Sequence, residues 1–254
     1  MTARGRSALL AWTALLIAGL VAAIAAPLAE GAQTATLDVK FSPERLGAPT
    51  AISFGFEIKA VGGGLPSALS GIDFHYPSDF GLGTSGLGVA ACSPATLSER
   101  GPKACPRNSI MGAGSAIARF QVSPEISEET ANLALVAGPS RGGYIDLLIS
   151  ATGISPIAAR VVMAGLLLPG RLRFSVPLVP GVPEGPDVAV VRVKATIGGN
   201  LTYYESRHNK RVAYHPTGVL LPRHCPHGGF RFNATFSFVD GTQAQASTVV
   251  RCLR

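Results

Sequence analysis

Apolar residues in this chain recur at every second position, in short runs set apart by glycine and proline. Leu37, Val39 and Phe41 form one run, Ile52, Phe54, Phe56 and Ile58 a second, and Ile72, Phe74 and Tyr76 a third. A period of two places alternate side chains on one face of an extended strand, so each run reads as a strand buried on one side only. The 30 glycines and 19 prolines fall between these segments rather than in a low-complexity block, as in a chain of many strands joined by tight turns. Long helical periodicity is absent. The expected fold class is all-β: an antiparallel β-sandwich with long loops.

The pattern continues through strands expected at 110–122, 131–137, 144–151, 158–168, 172–176 and 188–197. An acidic loop is expected over 123–130, and 78–91 reads as Gly- and Ser-rich loop. Four prolines in 177–187 forbid regular pairing there and mark a domain boundary or a long crossover. Ser93-Pro94 predicts a short helix over about 94–100, with Ser at the N-cap and Pro in the first turn.

The final hairpin is the clearest signal. Phe230, Phe232, Phe236 and Phe238 share one face with Ala234 between them, and Asp240-Gly241 makes the turn. A two-residue loop would set Phe236 opposite Gln245 and waste that face. A three-residue loop, 239–241, pairs Phe236 with Ala244 and Phe232 with Thr248, and it places Gly241 at the left-handed position such loops need.

Compartment is read from the other end. Arg4 and Arg6 precede an uncharged, Ala- and Leu-rich stretch from Ser7 to Ala29, and Ala29-Glu30-Gly31 offers a small-x-small processing site. Residues 1–32 therefore read as a signal peptide, or as a signal-anchor if left uncleaved, since the stretch approaches the roughly 20 residues that span a bilayer. A single domain is expected over 33–254, secreted or held at the cell envelope, with membrane contact only through an uncleaved N-terminal segment. Cys92, Cys105, Cys225 and Cys252 then read as two disulfides. Sequential pairing, Cys92–Cys105 and Cys225–Cys252, closes the shortest loops at least entropic cost.

The net charge of +7 is uneven: residues 171–254 hold eleven Lys/Arg against four Asp/Glu, while 33–170 hold nine against ten. The densest basic run, Arg207-His208-Asn209-Lys210-Arg211, is a candidate binding loop through Arg207, Lys210 and Arg211. An exported basic face suits an anionic cell-wall polymer or a surface protein. Nucleic acid is not expected, for lack of any recognition motif.

Spacing limits the other chemistry. Gly138-Pro139-Ser140-Arg141-Gly142 matches a nucleophile elbow, but strand chemistry follows where a helix is required, so it reads as a hairpin turn. The stretch 81–88 lacks the Lys and helix of a phosphate loop. Glu125, Glu128 and Glu129 read as a solubilising cluster. A secreted glycan hydrolase is one alternative, with Asp73, Asp79 and Asp146 as candidate carboxylates. A metal-sequestering protein is another, through His224 and His227 with His208 and His215 upstream, though the spacing fits no standard site. No catalytic residue, metal or cofactor is assigned, and the expected function is a non-enzymatic binding module of unknown ligand.

Residues 69–252 also carry a set of short motifs: a loop centred on Cys92, Cys105-Pro106-x-x-Ser109-x-Met111-Gly112, a strand and turn over 133–139 followed by Gly142-Gly143-Tyr144, Pro177-Leu178-Val179-Pro180, Leu221-Pro222 before Cys225, and the Phe-rich hairpin with Asp240-Gly241. The chain in this respect resembles an uncharacterised family of secreted, disulfide-bearing β-sandwich modules of high-GC bacteria. The resemblance implies that 177–187 is an internal loop of one domain, and it carries over no catalytic or ligand residue. The basic segment 200–215 departs from that pattern.

Overall fold

The computed structural model describes residues 33–81, 85–141, 144–182 and 185–252. The signal segment expected over 1–32 lies outside the described residues. The strands are β1 (Gln33–Ser42), β2 (Pro49–Ala60), β3 (Leu69–His75), β4 (Ile110–Val122), β5 (Glu125–Arg141), β6 (Tyr144–Ser155), β7 (Arg160–Leu168), β8 (Arg171–Ser175), β9 (Ala189–Ile197), β10 (Tyr203–Arg207), β11 (Lys210–Tyr214), β12 (Val219–Leu220), β13 (Phe230–Phe238) and β14 (Gln243–Val250). One helix, α1 (Pro94–Arg100), interrupts them. The fold is all-β and antiparallel, as the alternation requires.

Twelve strands form one sheet in the order β1-β2-β9-β4-β5-β6-β7-β8-β3-β13-β14, with β12 added against β2. The sheet wraps until β1 lies beside β14. The two layers of the expected sandwich are thus opposite walls of one nearly closed barrel: the ring of Phe56 on β2 meets that of Phe236 on β13 at 4.9 Å. Closure demands sharp coiling, and glycine permits it where walls bend. A Cβ at Gly114 would collide with the Lys194 carbonyl oxygen across the β4–β9 pair. At the seam, the buried Gln33 side chain donates to Asp240 Oδ2 at 3.1 Å and accepts from Thr242 Oγ1 at 2.7 Å.

Apolar side chains point inward and polar ones outward. On β1, Val39 and Phe41 are buried while Thr34, Asp38 and Lys40 face water. This is the reverse of a membrane-spanning barrel, which is apolar outside. Phe230, Phe232, Phe236 and Phe238 supply the most strongly buried row, each 3% exposed or less. Phe236 pairs with Ala244 and Phe232 with Thr248, and Gly241 takes φ +81°, so the three-residue turn holds.

The registers define two rims. The turns β4–β5, β6–β7 and β13–β14 lie at the upper rim, and β5–β6 and β7–β8 at the lower. Segment 177–187 is a crossover, since β8 and β9 are not neighbours in the sheet; it passes along the upper rim. The acidic loop expected over 123–130 is mostly strand, because β5 begins at Glu125 and Glu128 finds Arg119 across the ladder.

Both disulfides pair sequentially, Cys92–Cys105 and Cys225–Cys252. The first holds α1 against the outside of the barrel. Ser93 caps that helix, accepting from Thr96 N at 3.0 Å, and Leu97 is fully buried against Val136 and Leu148. Such bridges belong to a chain that folds in an oxidising environment.

Candidate functional site

The basic run is a hairpin rather than a solvated loop. β10 and β11 form a separate two-stranded sheet with Arg207 opposite Lys210. The two residues of the turn, His208 and Asn209, have φ +50° and +59°. Positive φ at both positions matches the twist of a two-residue hairpin, and Asn tolerates it better than most residues. The base is anchored rather than free. Tyr203 is 1% exposed, donates to the Ile110 carbonyl at 2.6 Å and accepts from Gly88 N at 3.0 Å. Asn108 brackets the next residue, accepting from Tyr204 N at 2.9 Å and donating to its carbonyl at 2.7 Å.

Arg207, Lys210 and Arg211 are all exposed on this arm. They are not equivalent. Arg207 Nε lies 2.6 Å from Glu205 Oε1, which offsets its charge. Arg211 sits 3.9 Å over the Tyr204 ring, a cation–π contact that fixes its direction while leaving its charge in play. The structure therefore adds Tyr204, Tyr203 and Asn108 to the site read from sequence. The available signal for the tyrosines was a pair of short runs, each with a tyrosine at its outer end, flanking Asn209 at the turn; Asn108 had none.

Charge around this arm is concentrated at one rim. Gly47 N donates to the Pro222 carbonyl, which brings the β1–β2 turn with Arg45 beside Arg223. Arg107, next to Asn108, adds to the same lower end. That end also holds Glu44 and Asp79, while the upper rim mixes Glu57, Glu125, Glu128, Asp187 and Asp240 with Lys59, Arg119, Arg160 and Arg192. The asymmetry between chain segments thus becomes an asymmetry along the barrel axis.

The three candidate carboxylates of the hydrolase alternative are not brought together. Asp73 pairs with Arg173 on β8, Arg173 with Leu166 on β7, and Leu166 with Asp146 on β6. Three strand spacings separate the two acids by about 14 Å, beyond the roughly 5–10 Å that glycoside hydrolysis requires. Asp73 moreover accepts from Arg171 Nε at 2.8 Å, and from Arg171 Nη2 and Arg173 Nη2. The hydrogen bond from Arg171 holds its carboxyl below the usual range, opposite to the need of a general acid. Asp146 is buried, and Asp79 is exposed beyond β3.

The remaining candidates do not form a site. Glu129 is buried with its carboxylate accepting from the backbone N–H groups of Ile154, Ser155 and Ile157 at 2.9, 3.1 and 2.6 Å. Glu125 stands at the β4–β5 turn opposite Val122. His208 is at the hairpin tip, His215 Nδ1 contacts the Leu201 carbonyl at 2.9 Å, and His224 and His227 are exposed. Cys225 is bonded to Cys252, so its sulfur is no ligand. Among the described residues no three His, Cys, Asp or Glu side chains converge. β5 runs through Gly138 to Arg141, so these residues of the apparent nucleophile motif are strand; Gly142 lies outside the described residues. No family model, curated protein or solved structure matches the chain.

Proposed function

We propose that this is an exported, non-enzymatic protein of the cell envelope that holds an anionic polymer against its basic end. The projecting β10–β11 hairpin carries the reading. It is a small sheet with its base tied down by Tyr203 and Asn108, presenting Lys210 and a ring-stacked Arg211 to water. A fixed arm loses less side-chain freedom on binding than a loose loop would, and the neighbouring Arg45, Arg107 and Arg223 extend the positive surface. The two disulfides support the exported setting.

The test is retention of the purified chain on immobilised poly(glycerol phosphate) across a salt series. Binding is expected to fall steeply between about 0.1 and 1 M salt, where the screening length shortens from about 10 to 3 Å. The double variant K210S/R211S is expected to lose about two- to fivefold in affinity per removed charge. Retention that ignores salt, or a double variant that binds like the parent, would overturn the reading.

A further inference from the structure

The barrel is not filled by its own side chains. Its interior holds a cavity of about 150 Å³, bounded by inward residues of β1 to β9 and β13. Tyr76 contributes the one hydroxyl among the lining residues, and that hydroxyl is turned away, donating to the Leu168 carbonyl at 2.6 Å. Phe54, Phe74, Met163 and Val193 face the cavity yet are only half-buried, although they lie on the core side of their strands. Interiors pack to the density of organic crystals, so inward apolar surface left exposed on this scale is unusual.

The shape and setting of the cavity restrict what fits it. Along β8 it extends from Leu172 to Val176, four residue steps or about 13 Å. At the lower rim it ends on Tyr76 and Phe80, and below these Leu87, Val219, Leu221 and Phe230 are buried. At the upper rim it reaches Val176 and Val190, which pack against the buried Ile58, Leu69, Phe236 and Phe238, so that end too is covered by side chains. That rim also displays large apolar side chains at five separate places: Val61, Val122, Ile154, Leu178 and Val239, each at least 40% exposed. An apolar void with apolar residues around one end suits a guest without polar demands. The apolar lining offers no partner for a charge, which disfavours an ionised one.

We propose that the barrel interior binds a single hydrocarbon chain of about six to eight carbons, bearing an uncharged head. This site is independent of the basic hairpin, which lies at the lower rim. The ligand is recognised by burial of its methylenes, and the half-buried Phe54, Phe74 and Met163 gain contacts they lack in the unfilled barrel.

Calorimetric titration of the full chain with the 1-alkanols from butanol to dodecanol tests the proposal. Affinity is expected to rise about fourfold per methylene and to stop rising near octanol, where the cavity is full. Octanoate is expected to bind more weakly than octanol. Ala151 lines the cavity and is half-buried, so A151L fills the space with little disturbance, and it is expected to lose octanol binding at least tenfold while keeping both disulfides. Should A151L fail to fold, M163F serves the same purpose from β7. Absence of a chain-length dependence, absence of a plateau, or a folded filling variant that binds octanol like the parent would overturn the proposal. The variant also controls for alkanol uptake by the apolar segment near the N-terminus, which it leaves intact.

Discussion

At the scale of single residues, two acids show how chemistry-bearing side chains come to serve structure. Glu129 satisfies three backbone donors in the β6–β7 connection, donors that would otherwise be stranded beside the core. Replacing it with Ala is expected to destabilise the protein by about 1–3 kcal/mol, read as a lowered denaturation midpoint at unchanged slope. Sequence could not give this role. Glu125, Glu128 and Glu129 look alike in a row, and only the register of β5 turns Glu129 inward while Glu128 meets Arg119 outside. Asp73 makes a different prediction. The hydrogen bond from Arg171 lowers its folded-state pKa, so its pairing stabilises above the ordinary carboxylate pKa and is lost as pH falls through the folded value. D73N is expected to melt below the parent at neutral pH, with the difference closing as the pH is taken below about 4. A difference that does not narrow at all as the pH falls would mean that Asp73 acts through something other than its charge.

At the scale of elements, alternation made most strands legible because each buries one face against a common interior. The Phe-rich hairpin was readable down to its register, since only one loop length keeps Phe232 and Phe236 opposite small or β-branched partners. The helix was readable because Ser93 and Pro94 encode its start without reference to the rest of the fold. The β10–β11 hairpin escaped because its strands are short and largely polar, with Tyr203 alone buried, so no run of buried positions imposes a period on them. Its turn offers a direct check. His208 and Asn209 both occupy left-handed positions, and H208N/N209G supplies the residues that such turns favour most. By relieving left-handed backbone strain, that pair of changes is expected to stabilise the arm by about 1 kcal/mol, seen as slower amide exchange in Glu205 and Val212. Faster exchange would show that the turn depends on His208 itself.

At the scale of the whole molecule, the sequence carried the fold class but not the closure. Alternation marks a face as buried without saying whether the opposite wall belongs to a second sheet or to the far side of the same one. The disulfides were legible because their loops are short, 13 and 27 residues apart in sequence. Removing Cys225–Cys252 by double Ser substitution is expected to cost about 3–4 kcal/mol, and removing Cys92–Cys105 about 3, measured as separate losses in denaturation midpoint. The seam has a further consequence. β1 and β14 meet near the two ends of the described residues, and Gln33 locks onto the turn just before β14. The contacts that complete the circle are among the longest-range the chain can make, and such contacts form late and slowly. A nascent polypeptide can build the central meander β4 to β8 as it appears, but must wait with its first strand unclasped until the final one arrives.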